Sequence, residues 1–346
     1  MKLVRLAAWG ILAVALTLGA IAWALHRELS QPYWGAASHE VFLDIPAGMR
    51  ARDIAVALAH AGVIRTSLVF EAYVRWSRLH TELKAGEYRF TAPASPREIA
   101  ARMVRGEVFH VTVTIPEGLT ARETVSLLAH AGIGDTPSLE RAVHQSALVR
   151  DLDPDARSLE GYLFPDTYRF PRQEDPDRVI ATLVKRFREI YSQLAASHPV
   201  STALSVHRVV TLASIVEKEA KLAAERPVIA SVLFNRLERG IPLAADPTII
   251  YALKQAGAFD GNLRKRDLEL GSPYNTYLRA GLPPGPIANP GEDSLRAALV
   301  PARTDYLYYV SRNDGSHEFS RDYQSHARAV ARFQPRIDGR RTHQEE

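Results

Sequence analysis

Apolar and polar positions alternate twice along the chain in nearly the same setting. Val41, Leu43 and Ile45 form one alternating run, and Val111, Val113 and Ile115 repeat it 70 residues later. A period of two predicts a half-buried strand. Each run leads through a Pro-x-Gly turn into apolar positions at helical spacing. Each helical pattern stops at a glycine, Gly62 or Gly132, suited to a left-handed C-terminal cap. Residues 45–63 (IPAGMRARDIAVALAHAGV) and 115–133 (IPEGLTARETVSLLAHAGI) are identical at ten of nineteen positions. The aromatic-rich stretches LKAGEYRF, 83–90, and LEGYLFPDTYRF, 159–170, follow the two copies. The chain thus carries an internal repeat of strand, turn and helix. His60 and His130 occupy equivalent repeat positions, which argues for a structural role at the helix ends.

Elsewhere the pattern is mainly helical. Helices are predicted over 176–195, 206–224, 227–239, 293–299 and 323–333. A strand is predicted at 306–310, a turn at 313–315 and a return strand at 317–320. The stretch 240–291 reads as loop-rich, and its prolines at 283, 284, 286 and 290 stiffen it. At the other end, the 20 residues from Leu6 to Leu25 carry no charge. At about 1.5 Å per residue they span roughly 30 Å, the thickness of a bilayer core. Lys2 and Arg5 precede this run, and His26, Arg27 and Glu28 follow it. The positive-inside bias puts the N-terminus in the cytoplasm and the rest of the chain outside. Ala22-Trp23-Ala24 leaves a cleaved signal peptide as a competing reading, but the apolar run is longer than a signal core. Residues 30–38 read as a linker.

Composition narrows the chemistry. With 46% apolar and 24% charged residues the chain is globular in type, and its 346 residues suggest two compact units. A net charge of +4, with no basic run interleaved with aromatics, does not point to nucleic acid. There is no cysteine, which excludes a thiol nucleophile or a Cys-ligated metal. No phosphate-binding loop, nucleophile elbow, dinucleotide fingerprint or HExxH motif is present. No metal or cofactor is implied.

The sharpest chemical feature is VVTLASIVEKEA, residues 209–220, an apolar helix bearing two acids. Positions i and i+2 diverge by about 200° on a helix, so Glu217 and Glu219 face different ways. Glu219 lies over Leu212, Ile215 and Val216; Glu217 lies over the smaller Val210, Ala213 and Ser214. Desolvation favours a protonated carboxyl, which is what a general acid requires near neutral pH. The competing reading is a surface glutamate paired with Lys218 or Lys221. Further candidates are the aromatic faces, amide and hydroxyl of Tyr274, Asn275, Thr276 and Tyr277, which suit a sugar. Asn235 could fix Glu219 or substrate, and Asp246, expected to be extended before Pro247, could orient the site.

Taken in order, LKAGEYRF, EGYLFPDTYRF, LASIVEKEA, ERPVIASVLFNRL, PLAADPTIIYAL, YNTYLRAGLPPGPIANPG and ARTDYLYYV resemble the YceG-like (MltG) endolytic murein transglycosylases over about residues 40–333. The resemblance implies that Glu219 is the catalytic acid/base. It also implies cleavage of the MurNAc–GlcNAc bond of nascent peptidoglycan, leaving 1,6-anhydro-MurNAc ends. Two departures stand out: Ala244 and Ala220 occupy positions where the family commonly has Gln and Thr. The expected fold is α+β: a cytoplasmic stub and transmembrane helix at 1–29, a small LysM-like α/β module at 39–110, a mixed catalytic domain at 111–336 and a polar tail at 337–346. The implied partners are peptidoglycan strands, inner-membrane lipid and peptidoglycan synthases, with the catalytic domain periplasmic. Two alternatives stay open. A glycoside hydrolase would need a second carboxylate, with Asp246, Glu217 or Glu160 as candidates. A non-enzymatic glycan-binding scaffold would need none.

Overall fold

The computed structural model describes residues 2–35, 40–197 and 204–334. The polar tail, the end of the linker and the first residue of the expected module lie outside these. The chain divides into two compact units, Met1–Val111 and Thr112–Glu346.

The first unit opens with helix α1, Lys2–Ser30. Within it, Trp9–Ser30 is the one described helix long and apolar enough to cross a membrane, and it is unburied by protein. Strand β1, Val41–Ile45, is followed by helices α2, Ala51–His60, and α3, Ser67–Trp76. Strand β2, Gly86–Phe90, returns antiparallel to β1, with Val41 opposite Phe90 and Ile45 opposite Gly86. Helix α4, Pro96–Arg105, closes the unit and starts with a Ser95–Glu98 capping box. Leu58, Phe70, Val74, Tyr88, Ile99 and Met103 are fully buried and form its core.

The second unit opens the same way. Strand β3, Val111–Thr114, leads to helices α5, Ala121–His130, and α6, Thr136–Val143; strand β4, Thr167–Phe170, pairs with β3. The repeat is therefore larger than strand, turn and helix. Each copy is strand, helix, helix, strand. The second helices escape a periodicity reading because they are short, and α3 mixes aromatic and β-branched residues. The predicted glycine caps are present: Gly62 and Gly132 have φ of 69° and 76°, and the next N–H in each copy bonds back to Leu58 or Leu128.

Helix α7, Pro176–Ser197, packs on α6. Helix α8, Val206–Glu219, is the centre of the unit: Val209 to Val216 are all buried. An all-apolar helix needs partners on every side. It has them in α9, Arg226–Glu238, α10, Asp246–Gln255, and α11, Glu292–Leu299. Strands β5, Tyr308–Ser311, and β6, His317–Ser320, form an antiparallel hairpin, and helix α12, Tyr323–Phe333, packs on it.

Two sequence expectations are corrected here. The helix predicted to run to 224 ends at Glu219, because Ala220 turns out of the helix with ψ 113°. The stretch read as loop contains α10, and Asp246 is its first residue; the extended residue is Ala245. Pro247 starts this helix instead of breaking it, because an N–H in the first turn has no intrahelical partner to lose.

Candidate active site

The end of α8 sets the two acids apart. Glu217 is 6% exposed and bound on both sides. One oxygen lies 3.2 Å from the Arg226 guanidinium, and the other accepts the Gly291 N–H at 3.0 Å. Arg226 also pairs with Glu117 at 3.2 Å and Asp293 at 3.5 Å. Lys218 donates to the Gly118 carbonyl at 3.1 Å, so it does not serve as a partner of Glu219. Glu217 is thus a tie between α8, α9 and the loop before α11.

Glu219 has no ion pair among the described residues and occupies a different environment. Burial pushes its carboxyl up to about 7, and the nearby charge of Asp246 acts in the same direction. A hydrogen bond from Tyr309 and the charge of Arg236 oppose them. Its place on the last helical residue adds to the upward push, since the carbonyl end of a helix disfavours an anion. The residue as a whole is half-buried.

The surroundings of Glu219 come from separate elements. Asp246 starts α10 and accepts the Tyr277 hydroxyl at 2.5 Å. Arg236, on α9, is fixed by its own donors: it bonds the carbonyls of Leu307 at 2.6 Å and Leu243 at 2.7 Å, and lies over the Tyr308 ring. Tyr309, on β5, meets the His317 ring edge-on at 5.4 Å. His317 is in turn held by Glu225 at 2.7 Å. Burial and the adjacent Glu219 raise the Tyr309 hydroxyl far above its ordinary range, so it stays a donor.

The structure brings Glu219, Asp246 and Tyr277 together. The other predicted residues are placed differently. Asn235 donates to the carbonyls of Thr304 and Tyr306, both at 2.9 Å, and so fixes the approach to β5. Asn275 is buried and donates to Leu268 and Leu270 carbonyls while accepting the Tyr277 N–H at 3.0 Å. Thr276 accepts the Ala245 N–H at 3.0 Å and meets Thr248 at 2.9 Å, holding the start of α10. Ala244, beside it, has a φ of 49°, a strained value for a residue with a Cβ. Tyr274 turns to another acid. Its ring lies 5.0 Å from that of Tyr251, whose hydroxyl donates to buried Glu160 at 3.2 Å. Glu160 also accepts the Ala121 N–H at 2.9 Å, and burial pushes it up to about 7.

Tyr309 and Arg236 were not singled out by sequence reasoning, although both lie in quoted motifs. Their partner is about 90 and 17 positions away along the chain, beyond any local periodicity. The buried amide of Asn289 was missed for the same reason. Its oxygen accepts the N–H groups of Gly161 at 2.9 Å and Leu163 at 3.0 Å, and its nitrogen donates to the Leu119 carbonyl at 2.9 Å. No cluster of possible metal ligands occurs among the described residues.

The chain is similar to several known proteins. The YceG-like family matches residues 43–332. An "Endolytic murein transglycosylase" of Bacillus subtilis (strain 168) is 31% identical over 325 residues, covering 89% of this chain and 88% of that protein. A protein of the same name from Streptococcus pneumoniae serotype 2 (strain D39) is 31% identical over 327 residues, which is 84% of this chain and 58% of the longer pneumococcal protein. The crystal structure of a yceG-like protein from Listeria monocytogenes aligns with a TM-score of 0.56 at 31% identity, covering 84% of this chain and 99% of that one.

Proposed function

The chain belongs to the YceG-like family, and from that premise we infer that it is an endolytic murein transglycosylase, a lyase acting on peptidoglycan glycan strands. The observation that carries the mechanism is the state of Glu219: a carboxyl at the end of a buried helix, pushed up to about 7 and in no ion pair among the described residues. In the proposed reaction Glu219 gives its proton to the oxygen between MurNAc and GlcNAc as the bond from C1 breaks. The GlcNAc 4-hydroxyl leaves. The MurNAc 6-hydroxyl oxygen then bonds to C1 and yields its proton to the Glu219 carboxylate. The acid is regenerated and no water is consumed, so a second carboxylate is not needed as nucleophile. Arg236 and the Tyr309 hydroxyl stabilise the carboxylate after proton transfer; Asp246 and burial favour the acid before it.

Roles for the remaining residues follow from their positions. Tyr277 and Asp246 orient sugar beside Glu219. Asn275, Thr276 and Asn235 hold the segments that carry them, and Tyr274 lines a more distant part of the wall. Catalysis is assigned to 111–336 and glycan contact to a LysM-like module at 39–110. Helix α1 is read as a single-pass inner-membrane anchor with its N-terminus in the cytoplasm, which leaves the chain after α1 periplasmic and near peptidoglycan synthases.

The test compares the full chain and Glu219→Gln on purified peptidoglycan, with new ends identified by mass spectrometry. The wild type is expected to make anhydro-muramyl ends. The variant should make about 10²-fold fewer or less, the usual loss for a general acid. Reducing ends would point to hydrolysis instead, and an undiminished variant would remove Glu219 from the mechanism.

A further inference from the structure

We propose that an exposed stripe on α3, Leu68, Ala72 and Trp76, rests in the headgroup layer of the bilayer that α1 enters, so that the first unit lies on the membrane as well as being tethered to it. The proposal rests on reading α1 as an anchor.

The stripe is unusual in its exposure. Leu68 is 73% and Trp76 85% exposed, and Ala72 between them is exposed too. Spacing of four places all three on one face of α3. The core-facing residues of the same helix are Phe70 and Val74, which are fully buried, so the stripe is not part of the core. A tryptophan left this open in a soluble setting exposes a large apolar area for no structural gain.

The location supplies the occupant. Helix α1 packs against α3 and α4. From Trp9 it is exposed through the apolar run and is partly buried only at Glu28 and Leu29. Protein contact therefore begins within about one turn, ~5.4 Å, of Leu25, where the apolar run ends. The headgroup zone on each side of a bilayer is roughly 5–7 Å deep. The unit begins inside that zone. The α3 side of the unit is also at this level: the Arg97 guanidinium lies 3.5 Å from His26 and over the Tyr73 ring at 5.9 Å. Trp76 follows Tyr73 by one turn. The chemistry around the stripe is that of a helix lying in the interface, with Trp and Leu flanked by exposed Arg65, Arg75 and Arg78.

Because the chain has no cysteine, single labels can be introduced without other changes. The experiment places a nitroxide on Leu16→Cys or Ala72→Cys of the full chain in vesicles of phosphatidylethanolamine and phosphatidylglycerol. Accessibility to oxygen and to a nickel complex is compared with that of free label in buffer. The expected result is a core reading at 16 and a headgroup reading at 72, with nickel accessibility at 72 reduced several-fold. Adding Leu68→Ser and Trp76→Ser, both at exposed positions, should return the label at 72 to the aqueous value. A core reading at 16 with an aqueous reading at 72 overturns the stripe and leaves the anchor standing. A headgroup reading at 72 that survives the double substitution also overturns it, because the tether alone would then hold the unit down. An aqueous reading at 16 overturns the anchor and the stripe together.

Discussion

In both copies of the repeat a tyrosine at the second strand reaches back four residues to a carbonyl: Tyr88 to Lys84 and Tyr168 to Phe164, each at 2.7 Å. In both, the ring stacks on a phenylalanine two positions on. The scaffolds match, and the turns after the first strands do not. In the first copy Pro46, Ala47 and Gly48 are exposed, and the turn closes on itself through Met49 and Pro46. In the second copy Gly118 is buried. Its carbonyl takes Lys218 and its N–H meets the Asn289 carbonyl at 2.9 Å, while Leu119 accepts two donors from Asn289. Glu117, where the first copy has Ala47, reaches Arg226. The comparison teaches that one βααβ framework serves as a brace for α8 through a few polar differences and the positions of their partners, with no change of fold.

The largest effect should come from cutting that brace. Asn289→Ala leaves the Gly161 and Leu163 N–H groups unpaired in a buried site. Denaturant unfolding should report a loss of about 3 kcal/mol or more, at roughly 1–3 kcal/mol per orphaned group. A loss below about 1 kcal/mol would mean the turn is held in some other way. The next effect depends on pH. Glu160, which roofs the start of α5, and Glu219 are both raised to about 7, so the native state binds their protons more tightly than the unfolded chain. Their contribution to stability is full below about pH 4.5 and is lost as pH rises through about 7, on the order of 3 kcal/mol each at most. Glu219→Gln should therefore unfold at higher denaturant than wild type at pH 8, with the gap closing near pH 4.5. Wild-type cleavage should fall over the same upper limb as the acid form of Glu219 disappears.

Smaller effects compare the copies directly. Tyr88→Phe removes a hydroxyl shared between the Lys84 and Met103 carbonyls, Tyr168→Phe one that bonds the Phe164 carbonyl, and each should cost about 1 kcal/mol. Clearly unequal losses would break the equivalence of the scaffolds. Thr120→Ala removes a capping box shared with Glu123 and should cost about 1 kcal/mol. The matched residue Arg50 makes no side-chain cap, and Arg50→Ala should stay within about 0.5 kcal/mol.

Much of this is legible in the sequence, for local reasons. Alternation located β1 and β3, glycine punctuation located the ends of α2 and α5, and the divergence of i and i+2 separated Glu217 from Glu219. The same logic failed where the deciding contact is distant. Nothing near Glu217 announces Arg226, and nothing near Glu219 announces Tyr309. Nothing in the local sequence announces that Asn235 and Thr276 bond backbone groups far along the chain. Helix α10 was lost because Asp-Pro reads as a break when its first-turn context is unknown.

The Asn289 amide also has a kinetic consequence. From its place in the loop before α11 it joins the turn at 118–119 to the strand approach at 161–163: its side chain bonds Gly161, Leu163 and Leu119, and its backbone bonds Gly118 and Leu119. None of these three segments can open while the other two stay fully paired. The amide protons of Gly118, Gly161, Leu163 and Asn289 should therefore exchange with deuterium as one cooperative unit with one opening free energy. The wall around α8 then either holds as a whole or opens as a whole, so the helix end bearing Glu219 is not loosened one segment at a time.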